Sequence, residues 1–257
     1  MVFYFTGTGN SLYVAKQLDS EQVSIPQAMH YDELTFESEA IGVVCPVYGH
    51  EMPNMVKEFL RKAAFKTEYL YLILTYGNIH GGAAELAENA LSAIGKKADY
   101  INTIKMVDNF LPGFDMNEQI ATEPEKKIEE HIAAIKADID SHKCWKQPVT
   151  QEDRDWHQQF LARQTGGADD FLKKMYRVTD DCIGCGICTR VCPAGCIYLE
   201  RQKAVHTMEN CQLCMAFIHH CPKNAIRLNV PEKNPDARYH NDNIRLTEIV
   251  EANNQHR

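Results

Sequence analysis

The chain has 257 residues and a mass of 29.3 kDa, with 27 basic against 35 acidic residues and a formal net charge of -8. Its 44% hydrophobic and 24% charged content is that of a folded globular chain, which excludes disordered and fibrous classes. The acidic balance argues against nucleic acid, which needs a basic face to neutralise phosphates. The longest apolar run, Tyr69–Leu74, is far short of the roughly 18–20 residues that span a bilayer, so no membrane span is expected. Met1–Phe5 is a short apolar run without a basic leader, which predicts a cytoplasmic protein whose thiols stay reduced. Ten cysteines then need an explanation other than disulfides.

The first 145 residues alternate apolar strands with amphipathic helices, the pattern of an α/β parallel sheet. Strands are expected at Val2–Phe5, Gln22–Ile25, Ala40–Val47, Tyr69–Tyr76 and Tyr100–Met106. Helices are expected at Asn10–Asp19, Pro53–Ala63, Gly82–Ile94 and Pro124–His142. Five strands so arranged suggest a flavodoxin-like order, 2-1-3-4-5, with a ligand crevice at the carboxyl ends of strands 1, 3 and 4.

The first strand runs into Thr6-Gly7-Thr8-Gly9-Asn10-Ser11 and then a helix. Such a turn supplies backbone N–H groups, a helix N-terminus and three hydroxyls to an anion. It lacks the lysine of a nucleoside-triphosphate loop. It also lacks the third glycine of G-x-G-x-x-G, since Leu12 stands there, and no acidic residue closes strand 2. A terminal phosphate monoester fits better, and the loop resembles the flavin-phosphate loop of flavodoxins. Two later loops, Pro46–Pro53 and Thr75–Gly82, fall where that family holds its flavin ring. The resemblance implies FMN, with Tyr48 and Tyr76 as ring walls and Gly49, Gly77 and Asn78 at the ring edge. Asn109-Phe110 would close the site. His50, Glu51 and His80 read as solvated loop residues, standing where a proton donor to the reduced flavin would stand. Cys45 reads as core, and Cys144 has no visible role.

Residues 146–176 read as a helical linker, with short helices at Glu152–Gln164 and Ala168–Met175 and with Trp156 and Phe160 at the joint. Beyond it eight cysteines fall within forty residues. Cys182-x2-Cys185-x2-Cys188-x3-Cys192-Pro193 has the bacterial iron–sulfur spacing, in which three thiolates wrap one cubane and the fourth serves another cluster. The segment repeats 29 residues on, mapping Cys182, Cys185 and Cys192-Pro193 onto Cys211, Cys214 and Cys221-Pro222. Ile197-Tyr198-Leu199 likewise maps onto Ile226-Arg227-Leu228. Residues 177–231 thus resemble the bacterial dicluster ferredoxin fold, a small α+β domain. The resemblance implies one [4Fe–4S] cluster on Cys182, Cys185, Cys188 and Cys221, and a second on Cys192, Cys211, Cys214 and position 217.

Position 217 is Phe, which cannot coordinate iron. A [3Fe–4S] cluster, a non-cysteine fourth ligand, rescue by Cys196 one turn past Cys192 if that stretch is helical, or no second cluster all remain open; His219 and His220 could also reach the site, though they read more simply as solvated histidines on a short helix. Some second cluster is expected, because Cys192, Cys211 and Cys214 otherwise have no role. Residues 232–257 read as a polar C-terminal tail with one helix at Leu246–Asn253, either packed back or frayed. The whole chain resembles the flavodoxin–ferredoxin fusion proteins of anaerobes. That resemblance implies an electron-transfer iron–sulfur flavoprotein relaying electrons between clusters and FMN, with redox proteins as partners. The alternative is a flavin-dependent reductase acting on a small-molecule acceptor.

Overall fold

A computed structural model of the chain describes residues 1–164, 175–207 and 209–255. The first part comprises β1 (Val2–Tyr4), α1 (Asn10–Leu18), β2 (Gln22–Ser24), α2 (Ile25–Ala28), β3 (Thr35–Glu37), β4 (Ala40–Pro46), α3 (Asn54–Lys62), β5 (Ala64–Lys66), β6 (Tyr69–Tyr76), α4 (Ala83–Ala93), β7 (Tyr100–Lys105), α5 (Met116–Ala121), α6 (Ile128–Asp140) and β8 (Trp145–Lys146). The main sheet is parallel, in the order β2-β1-β4-β6-β7-β8. It has six strands rather than the expected five. The sixth, β8, is two residues long and pairs Trp145 with Tyr100, too short for any alternation to announce it. A separate parallel pair, β3 with β5, was equally illegible, being three residues a side and largely exposed.

Burial on both faces explains the unbroken apolar sequences of β4 and β6. At their pairing Gly42 lies opposite Tyr71, and a Cβ on Gly42 would stand 2.2 Å from the tyrosine ring. The aromatic therefore lies flat on the neighbouring strand. On α3 the buried residues Val56, Phe59 and Leu60 follow helical spacing, and Phe59 meets Phe3 of β1 at 4.9 Å between ring centroids. Each such side chain contributes about 1.5–3 kcal/mol by leaving water. The expected helix at Pro124–His142 is broken: a 3-10 turn at Glu123–Lys126 ends at Lys127, whose φ of 49° admits no continuous helix, and α6 starts after it.

Then follow α7 (Gln151–Gln164), β9 (Tyr176–Val178), α8 (Ile187–Arg190), β10 (Ile197–Glu200), β11 (Lys203–His206), α9 (Ala216–His219), β12 (Ile226–Leu228) and α10 (Leu246–Asn253). The helix expected at 168–175 lies, apart from Met175, outside the described residues. Strands β9 and β12 pair antiparallel, as do β10 and β11. Helix α10 packs back rather than fraying. Lys16 pairs with Glu248 at 2.6 Å, and Gln27 donates to the carbonyls of Ala252 and Asn254. One apolar core takes in residues of both parts, from Val2 to Ala252.

Asn253 ties three segments together. It has no exposed surface, and its Nδ2 donates to Thr6 O at 2.9 Å and to Val191 O at 3.2 Å. Asn253→Ala leaves two buried carbonyls without that donor and is expected to cost about 1–3 kcal/mol. Urea unfolding of the intact chain measures this, and an unchanged midpoint would show the bridge to be dispensable.

Candidate metal centre

The 29-residue repeat extends to the backbone. Helices α8 and α9 begin 29 residues apart. Gly184 and Gly186 take φ of 65° and 72°, and their counterparts Leu213 and Met215 take 56° and 57°. At Gly184 the reason is contact, since a Cβ would meet Gln202 O at 2.5 Å. In the second half side chains are carried through the same left-handed turns, at a cost of order 1–3 kcal/mol per residue that the surrounding fold must hold.

The turns of the first half bring Cys182, Cys185 and Cys188 to one recess, and Cys221 arrives from the second half. Leu199, Ala204 and Ile226 give the recess apolar walls. Burial, then neighbouring Cys185, Cys182 and Cys221, push the Cys188 thiol up to about 11. Four thiols gathered in one recess, with Cys188 held protonated until cationic metal is among them, are the donor set of an iron–sulfur cluster.

The second half is built differently. Cys192 Sγ lies 3.4 Å from Cys196 Sγ, and Cys196 Sγ lies 3.6 Å from His206 Nε2. The ligand atoms of Cys196, His206 and Cys211 all lie within 4.8 Å of one another. Hydrogen bonds from Cys196 and then His206 draw the Cys211 thiol down to about 5 against its burial. Cys214 is buried, and burial pushes its thiol up. Phe217 fills position 217 with a ring 4.8 Å from that of Tyr176 and 5.1 Å from that of His206. Cys196 does not reach this group along a helix. It follows Gly195, whose φ is 62°, and leads into β10. His206 was missed by sequence reasoning because it is a lone histidine at a strand end; the signal available was its place five residues before Cys211. His219 is not solvated, as expected above, but buried. Its Nε2 faces Asn109 O at 2.9 Å and its Nδ1 accepts from Tyr239 N at 3.1 Å, and burial lowers it to about 3, so it stays neutral and is spent on structure.

The loop Thr6–Ser11 sits at the carboxyl end of β1, but its groups are engaged by the chain itself. Thr6 Oγ1 accepts from Gly9 N, Thr8 Oγ1 accepts from Asn109 Nδ2, and Ser11 Oγ meets Thr75 Oγ1 at 2.8 Å. Asn241 N donates to Thr8 O, while Tyr239 Oη and Asn241 Nδ2 both donate to Asn10 Oδ1. A Cβ on Gly7 would meet Cys214 O at 2.9 Å and Tyr48 Oη at 3.3 Å.

The ring-side loops are covered as well. Gly77 abuts Asp108, whose carboxyl is pushed up by burial. Tyr76 meets His80 edge-on, and Asn78 is exposed. Helix α7, expected as a linker, lies over these loops: Phe160 packs on Gly49 and His50, His157 Nδ1 lies 3.4 Å from His50 Nδ1, and Arg154 pairs with Glu85. Trp156 is exposed rather than packed at the joint. The turn after β1 and the ring-side loops are thus in contact with other parts of the chain itself, among them Tyr239, Asn241 and Phe160.

Residues 175–198 match a family model described as a 4Fe–4S binding domain. The chain carries a 4Fe–4S binding domain. The match takes in Cys182, Cys185, Cys188 and Cys192 together with Cys196. No curated protein matches the chain. Among solved structures it is similar to the Trp repressor binding protein from Bacillus subtilis, at 12% identity and a TM-score of 0.29 over 41% of this chain and 84% of that one, a likeness too slight to bear on function. No helix among the described residues is long and apolar enough to cross a membrane.

Gly9 tests whether the loop is closed by the tail. Its φ is 106°, and a Cβ would stand 2.9 Å from Asn241 Cβ. Gly9→Ala is expected to destabilise the chain by about 1–3 kcal/mol, read as a lowered thermal midpoint, through strain and overpacking. An unchanged midpoint would mean that the tail yields freely.

Proposed function

We propose that the chain is an iron–sulfur electron-transfer protein. A [4Fe–4S] cluster on Cys182, Cys185, Cys188 and Cys221 would take up and pass on single electrons between partner proteins. The observation that carries this reading is the single apolar recess shared by three thiols of the matched run and a fourth from its repeat. The recess lies near the surface. Cys185 is exposed, and Ile183 and Leu199, which line it, are 60% and 40% exposed. An apolar rim over a shallow redox centre suits brief docking of another redox protein, where a short path matters more than tight binding.

The finer reading, an FMN relay behind the cluster, has one observation in its favour. The Thr6–Ser11 loop joins β1 to α1 at the end of a parallel sheet where such folds bind ligands. It would require Asn241 and its neighbours to leave the loop and Phe160 to leave Gly49. The flavin-dependent reductase carries the same requirement.

The test is cofactor analysis of the intact chain purified without oxygen. The expected result is about four irons and as many sulfides at the recess, with no flavin. Stoichiometric FMN would replace this reading with the relay. Cys188→Ala is expected to abolish the reducible iron–sulfur absorption while the fold persists, and retention of that signal would overturn the ligand assignment.

A further inference from the structure

The two halves of the repeat share a backbone but hold their sulfurs at different spacings. In a cubane each cysteine sulfur rides on its own iron at a separate corner, which sets such sulfurs roughly 6 Å apart. Around a single tetrahedral ion with bonds of about 2.0–2.3 Å, neighbouring ligand atoms come to roughly 3.5–3.8 Å. Cys192 Sγ to Cys196 Sγ is 3.4 Å and Cys196 Sγ to His206 Nε2 is 3.6 Å. Cys196, His206 and Cys211 form a group with all ligand atoms within 4.8 Å, and the four sulfurs of the first quartet form no such group. The same chain thus offers its own control.

The geometry points to a mononuclear tetrahedral site for a zinc-type divalent cation, held by Cys196, His206 and Cys211 with Cys192 as the fourth ligand. Two independent features agree with the distances. The order along the chain is Cys192-x3-Cys196 followed by His206-x4-Cys211, two ligand pairs of the spacing that structural zinc sites use. The pairs are joined by the β10–β11 hairpin, whose register sets Ile197 opposite His206 and so brings Cys196 beside the imidazole at the open end. Thr207 N closes that end on Cys196 O at 2.8 Å.

Phe217 supplies the complementary exclusion. Its buried ring packs in one cluster with those of Tyr176 and His206, so the position that holds a cubane ligand in the first half is an apolar contact in the second. Cys192 lies outside the 4.8 Å triad and completes the tetrahedron by turning its sulfur toward the ion. The three cysteines bind the cation as thiolates, and the neutral imidazole donates through Nε2. The site would be structural and redox-silent, clamping the second half of the repeat beside the electron-carrying first half.

The test is metal and sulfide analysis of the full chain, purified without oxygen and dialysed against a mild chelator. The expected content is one zinc per chain beside about four irons and four sulfides. Cys196→Ala and His206→Ala are expected to lose the zinc and keep the iron, whereas Cys188→Ala loses the iron and keeps the zinc. The two readings therefore fail separately. Should the variants not fold, Co2+ exchanged into the wild-type chain gives the readout, an intense tetrahedral thiolate–cobalt spectrum. About seven or eight irons with matching sulfide and no zinc would overturn the proposal, as would zinc retained in both Cys196→Ala and His206→Ala or an octahedral cobalt spectrum.

Discussion

The molecule is organised around the seating of the cysteine module on the backbone of Gly7. A single methyl group on that residue would collide with the carbonyl of Cys214 and crowd the hydroxyl of Tyr48. No side chain intervenes, so the end of β1 and the second ligand turn are in main-chain contact. The crevice at the carboxyl edge of a parallel sheet is where such folds receive their ligands. Here the chain fills that edge with its own second part. The tail secures the arrangement: Asn241 and Tyr239 bond the loop from above, and Asn253 reaches both Thr6 and Val191. Sheet and module consequently share one core.

The division between the two halves of the repeat follows from this seat. The first quartet keeps a recess with an exposed rim. The second half is pressed against the sheet, with Cys214, Phe217 and His219 all buried. Space at the surface suits a cluster that must exchange electrons with other proteins. Tight enclosure suits a compact ligand group whose task is to hold the turns in place. Leu213 and Met215, held in conformations that glycine takes in the first half, show how much strain that enclosure sustains.

The cysteine module could be read from its sequence because metal ligation fixes residue type and spacing together, and a 29-residue repeat doubles the signal. The central strands were equally plain, since burial on both faces demands long apolar runs such as Tyr69–Leu74. What escaped was set by contacts between distant residues. Asn253 meets Thr6 across 247 positions and His219 meets Asn109 across 110, and neither pairing leaves a local pattern. The Thr6–Ser11 loop has the residues of an anion site, yet its hydroxyls bond to Gly9, Asn109 and Thr75. Local sequence displays the loop's polar groups, and only the tertiary fold shows which partners within the chain they meet. Phe217 was recognised as a missing ligand, while the histidine beside it was not, because only the β10–β11 hairpin brings His206 to Cys196.

The central claim is that one half of the repeat carries a redox cluster and the other does not. Electron paramagnetic resonance of the intact chain, fully reduced at low potential and frozen, addresses it directly. The account predicts an uncoupled [4Fe–4S] signal integrating to one spin per chain. Two spins per chain, broadened by magnetic coupling between neighbouring clusters, would contradict it.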